Sequence, residues 1–233
     1  MPTSNAGTSA IAANLRWVRD RVDAACRRAG RSPADVTIVG VSKGFPVEAV
    51  VAAWQAGLRD VGENRVQEAA AKLPAAMAQG AAFRRHLVGH LQTNKVKTAI
   101  DLFDIIQSVD SLRLAEAISS TAGKSISVLL EVNVAAEESK YGLKPDEVPQ
   151  ALERIRSLPN IDVVGLMTVA PAASDAEQVR PVFRRLREMA ESLGVPELSM
   201  GMSDDFEVAV EEGATMIRIG RAIFGPRPER SEE

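Results

Sequence analysis

Cysteine occurs once in the 233 residues, at Cys26, and histidine twice, at His86 and His90. A single thiol closes no internal disulfide and builds no cysteine cluster, and two imidazoles leave little for a histidine-based metal site. A reducing compartment and no structural metal are the expectations. Aromatic residues make up 4% of the chain, with Tyr141 the single tyrosine. Chemistry that needs a phenolic acid or base therefore has one candidate. The formal net charge is −3, with no uninterrupted basic block, so a nucleic-acid partner is not expected. No stretch approaches the ~18 consecutive apolar residues that suggest a membrane helix. The opening MPTSNAGTSA lacks the basic start and apolar run of a secretory signal. No membrane association, a cytoplasmic location and a monomeric state are expected.

What the chain does have is alternation. In residues 8–30, Ile11, Leu15, Val18, Val22 and Ala25 recur at intervals of three and four before Gly30, the pattern of an amphipathic helix with a stop. Short apolar runs follow at 36–42, 60–63, 86–89, 103–109, 126–134, 163–169, 198–202 and 216–219, separated by seven helical patterns. Strand–helix alternation argues for a parallel sheet, and runs such as VLLEVNV and VVGLM suit strands covered on both faces. Eight strands without a linker predict a single closed (β/α)8 TIM barrel over residues 1–233, with an extra N-terminal helix. An open doubly wound sheet is the alternative. Pro74, Pro149 and Pro181 fall within helical patterns, where a helix starts late or bends.

In a barrel the C-terminal strand ends build the active site. The run VTIVGVSKGFP ends on Lys43, which shares strand parity with Thr37, Val39 and Val41. An amine in a partly dry barrel mouth is favoured in its neutral, nucleophilic form. A lysine snorkelling to water is the structural alternative. Near the other end, LSMGMSDDFEVAV offers Ser203 as a helix cap, and TMIRIGRAIFG meets a second helix start at Gly220. Loops after strands seven and eight commonly bind phosphate in barrels, which makes Ser203, Gly220 and Arg221 candidates; ordinary capping is the alternative. Arg218 lies inside the apolar strand MIRIG, where a guanidinium needs a defined partner. Asn64, His90, Asp110, Asn133 and Thr168 would rim the same mouth, although polar residues at strand ends also form turns.

A lysine on strand one, a phosphate site after strands seven and eight and an arginine on strand eight together suggest pyridoxal 5′-phosphate (PLP). Through VSK, GENRVQE, HLVGHLQTNK, SVDS, EVNVAAEESKYGL, GLMTV, LSMGMSDDFEVAV and RIGRAIFG, the chain resembles the YggS/PROSC family of pyridoxal phosphate homeostasis proteins from about residue 11 to 225. The resemblance implies a barrel like the alanine racemase N-terminal domain, with PLP held as a Schiff base on Lys43. It also implies Arg218 at the pyridine nitrogen, Asn64 at the cofactor, and Ser203, Gly220 and residue 221 at the phosphate. Gly44 and Arg221 stand where threonine is commoner in that family. An arginine at the ring nitrogen opposes ring protonation and weakens the electron sink. Racemases with such an arginine add a tyrosine from a second domain, for which this chain leaves no room. The expectation is a carrier that buffers PLP and delivers it to apo-enzymes, with little or no catalysis. A weak racemase using Tyr141 or His90, and a Schiff-base aldolase on a phosphosugar, are the rival readings.

Overall fold

The apolar runs pair side by side. In the computed structural model, which describes residues 5–137 and 140–226, eight strands appear among the described residues. They are β1 (Thr37–Val41), β2 (Asp60–Glu63), β3 (Arg84–Leu87), β4 (Ile105–Val109), β5 (Ile126–Glu131), β6 (Ile161–Met167), β7 (Glu197–Ser199) and β8 (Met216–Ile219). Each is parallel to the next, and β8 returns to β1 to close the barrel. This is the expected TIM-type architecture; closure excludes the open sheet. Glu138 and Ser139, within the EESKYGL stretch, lie outside the described residues.

Helices α2 (Val47–Gln55), α3 (Val66–Ala78), α4 (Val96–Leu102), α5 (Leu112–Thr121), α6 (Val148–Arg156), α7 (Arg180–Leu193) and α8 (Phe206–Glu211) connect successive strands, and α9 (Arg221–Phe224) follows β8. Pro149 and Pro181 occupy first turns, where the missing N–H costs nothing, and Pro74 alone lies inside a helix, α3. The leading helix α1 (Asn5–Ala29) buries Ile11, Leu15, Val18, Val22 and Ala25, and ends at Gly30 with φ 65°. It packs on α2, α8 and α9.

Two apolar layers hold the barrel. The larger lies between strands and helices and includes Val61, Leu87, Ile106, Leu130 and Ile217. The smaller, Ile105, Leu129 and Met167, fills part of the lumen. The lumen also buries polar side chains, Arg218, Ser199, Gln107 and His86 among them, and these lead to the site. No described helix is long and apolar enough to cross a membrane.

Candidate functional site

Parallel strands bring all eight C-terminal ends to one rim. Val39 pairs with Arg218 across the β1–β8 seam, so the face that turns Val39 and Val41 to the lumen is the face on which Lys43 follows. The strand itself stops at Val41. Lys43 lies half-buried in a tight turn just beyond, closed by the Phe45 N–H donating to the Ser42 carbonyl at 3.0 Å. Gly44 takes φ 79° at the third position of that turn. A threonine would be strained there, so glycine at 44 answers a backbone requirement. Pro46, extended at φ −74° and ψ 171°, then leads into α2 and away from the rim.

Arg218 is 5% exposed inside the barrel. Its Nη1 donates to Ser199 Oγ at 2.7 Å and its Nη2 to the Thr168 carbonyl at 2.6 Å. Ser199 Oγ donates onward to Gln107 Oε1 at 2.6 Å. Since β4 and β7 are not neighbours, that bond crosses the lumen. Gln107 then presents its amide nitrogen to His86 Nδ1, and His86 Nε2 lies against Asp60 Oδ1, each at 2.9 Å. These directions fix the tautomer: Nδ1 accepts and Nε2–H donates. Asp60 also accepts from Arg84 Nε at 2.6 Å. Burial alone would raise the Asp60 pKa, but the bonds from His86 and Arg84 hold it below the usual carboxylate value. For Arg218, burial pulls the guanidinium down to about 10 while Asp205 and Glu131 oppose the shift. The cation therefore persists at neutral pH, bonded to neutral acceptors and facing carboxylates at longer range.

Ser203, Gly220 and Arg221 come from the tips of adjacent staves, β7 and β8. The sequence offers Ser203 as a helix cap; in the structure α8 begins only at Phe206, and the Ser203 hydroxyl accepts from the Ala222 N–H at 3.2 Å. The β7 tip is thereby tied to the first turn of α9. Arg221 is exposed, its guanidinium bonded to Asp204 of the neighbouring tip. Asn64 is half-buried with its backbone against Gly89, where an added Cβ would come 2.4 Å from the Asn64 carbonyl oxygen.

The remaining rim residues divide. His90 Nδ1 bonds Asp110 Oδ2 at 2.9 Å and its ring stacks on Tyr141 with centroids 4.0 Å apart. Asn133 instead organises its own loop, its Nδ2 donating to the Glu137 carbonyl at 2.8 Å, and Thr168 Oγ1 donates to the Val132 carbonyl at 2.7 Å. Sequence reasoning misses Glu131, buried at the end of β5, as well as Asp60, His86, Gln107 and Ser199 behind Arg218. It also misses Lys72, a buried α3 lysine beside the Lys43 turn. The signal that singles out Arg218, a polar side chain in a covered strand, applies equally to His86, Gln107, Ser199 and Glu131.

Comparison with known proteins agrees with this architecture. The alanine racemase N-terminal domain model matches residues 8–228. A pyridoxal phosphate homeostasis protein of Aquifex aeolicus is 43% identical over 222 residues, covering 91% of this chain and 96% of its own. One from Pseudomonas aeruginosa is 42% identical over 224 residues, covering 94% and 96%. Among solved structures, PipY of Synechococcus elongatus with PLP bound superposes with a TM-score of 0.80 at 36% identity, over 92% of this chain and 100% of that one. With matches of this extent, running almost end to end, the chain belongs to the alanine racemase N-terminal domain family, among the pyridoxal phosphate homeostasis proteins.

Proposed function

We propose that this protein binds PLP reversibly as a Schiff base on Lys43 and serves in PLP homeostasis, buffering the free cofactor and supplying apo-enzymes, as a single-barrel, cytoplasmic monomer. The observation that carries the reading is a juxtaposition. Three consecutive staves, β7, β8 and β1, bring a hydroxyl and helix-start amides, a buried guanidinium and an amine to one rim. The outer two staves are separated by two strand spacings, roughly 10 Å. The donor set fits the cofactor: the Ser203 hydroxyl proton and the backbone at Gly220 and Arg221 suit a phosphate, and Asn64 lines the same mouth. Arg221 supplies positive charge nearby once released from Asp204. The relatives' names and the PLP-bound PipY structure support the same cofactor.

Lys43 would hold the cofactor through its Nζ, the amine nitrogen taking the place of the aldehyde oxygen with loss of one water and no change of oxidation state. PLP supplies an electron sink when its ring nitrogen is protonated. Arg218, held cationic in the lumen, would oppose that proton with the ring nitrogen turned towards it, which suits a carrier better than an enzyme. The test is the visible spectrum of the purified protein with added PLP, before and after borohydride, beside Lys43→Ala. A band that borohydride abolishes and Lys43→Ala never develops is expected. No band in the unsubstituted protein would sink the proposal.

The His90–Tyr141 stack anchored by Asp110 favours one second reading, a weak amino-acid racemase. Racemisation of a free amino acid that is lost in both Tyr141→Phe and His90→Ala would support it; none above the PLP-only background would remove it.

A further inference from the structure

The peptide groups on either side of Lys43 are gripped from behind by a buried ionic cluster. Lys72, on α3, is the one buried lysine among the described residues, at 5% exposure. Its Nζ donates to the Ser42 carbonyl at 2.6 Å and lies 2.8 Å from Glu63 Oε1 and 2.9 Å from Glu68 Oε1. Three acceptors satisfy all three of its protons. Glu68 Oε1 also accepts from the Gly44 N–H at 2.6 Å, and Ser42 Oγ donates to Glu63 Oε1. Burial pushes the Glu63 carboxyl up, with Lys72 and Ser42 opposing. For Glu68, burial is outweighed by the Gly44 and Lys72 bonds, and its pKa falls.

Around the cluster the layer between strands and helices is apolar, with Val61, Ala69 and Leu73 fully buried. An ion cluster here is a costly alternative to apolar packing, and Glu63 Oε2 is left buried without a hydrogen bond. What the charged groups do that apolar ones cannot is bind a carbonyl and an N–H in fixed directions. Those two groups belong to Ser42 and Gly44, and Lys43 lies between them on the opposite parity.

We infer that Glu63, Lys72 and Glu68 form a clamp that positions Lys43, pinning the peptides that flank it so that its amine is held at the barrel mouth. Glu68 and Lys72 are then positioning residues, acting through the backbone and touching no cofactor atom. This rests on the reading that Lys43 is the PLP-binding amine.

The experiment compares Glu68→Ala, Glu68→Gln, Lys72→Met and Lys43→Ala with the unsubstituted protein. PLP affinity is titrated by absorbance, the borohydride-reduced peptide is identified by mass, and Tm and far-UV circular dichroism are measured without PLP. Glu68 is 31% exposed, so its variants are expected to fold even if Lys72→Met does not. Glu68→Ala loses both the Gly44 and the Lys72 bond, and release of the Gly44 peptide predicts about tenfold weaker PLP binding. Glu68→Gln, whose amide oxygen still accepts from Gly44, retains binding within about threefold. The reduced label remains on the Lys43 peptide. The clamp is overturned if Glu68→Ala binds within twofold of the unsubstituted protein, or if both Glu68 variants weaken equally in step with Tm. A reducible adduct that survives Lys43→Ala overturns the Lys43 reading and the clamp with it. Loss in Lys43→Ala alone overturns only the clamp.

Discussion

Burial raises the Glu131 carboxyl from its ordinary 4.5 to about 7, with nearby Asp110 adding to the shift and Arg218 opposing it. The unfolded chain ionises Glu131 first, so between these values the folded state holds the extra proton. Its stabilising contribution is complete below pH 4.5 and is lost as pH rises through 7. Glu131→Gln has no proton to lose. Relative to its offset at pH 4, it is expected to gain stability over the unsubstituted protein, reaching about 3 kcal/mol above pH 7.5. Urea unfolding at a series of pH values checks this; an offset that stays flat from pH 4 to 8 would contradict it. Glu131 itself was open to a sequence argument, since it lies inside the apolar run 126–134 on the parity of Leu129. Its partners were not. Which polar side chains meet across the lumen depends on closure, and no spacing along the chain puts Gln107 of β4 against Ser199 of β7.

At the scale of the element, the strand cores were legible, but only the runs at 60–63 and 216–219 match their strands at both ends. The run at 103–109 begins two residues before β4, and β6 begins two residues before the run at 163–169, at Ile161. A strand's ends depend on where a neighbour offers hydrogen bonds, and Phe103 is bound instead to the end of α4 through Ala99. The tips were legible as glycine turns without their steric reason. Gly201 takes φ 91°, and a Cβ there would come 2.6 Å from Ala209 Cβ and 3.0 Å from Phe206 Cα. Gly194 also has a positive φ, 62°, but no heavy atom within 4 Å of its added Cβ. Gly201→Ala is therefore expected to cost more than Gly194→Ala, about 3 kcal/mol against about 1 kcal/mol. It should also weaken PLP binding, because the β7 tip carries Ser203; Gly194→Ala should not. Equal Tm losses with unchanged PLP affinity in both would show that the tip is more plastic than its packing implies.

Over the whole molecule, the sequence supports barrel closure through its eight runs but does not say what covers the β8–β1 seam. In the structure α1 packs on α8, α9 and α2, the helices on either side of that seam, and so buttresses α8 and α9, which follow the Ser203 and Gly220 tips. Its grip is of two kinds. Leu15 and Val18 are 1% and 0% exposed, and Trp17 meets Phe206 edge-on with centroids 6.3 Å apart. Asn14 Nδ2 donates to the Ile223 carbonyl at 3.0 Å. On the outside Arg21 pairs with Glu207, while Arg28 bridges Glu207 at 3.1 Å and Glu211 at 2.5 Å. Half-exposed arginines of this kind are screened by water and salt, whereas a cavity under the helix is not. Leu15→Ala is expected to destabilise by about 2–5 kcal/mol, nearly independent of ionic strength. Arg28→Ala should cost less than about 1 kcal/mol, and that cost should shrink in 0.5 M salt. Denaturant unfolding at low and high salt separates the two terms. If Arg28→Ala proved the more damaging, α1 would be held chiefly by charge, and the seam would open with rising salt.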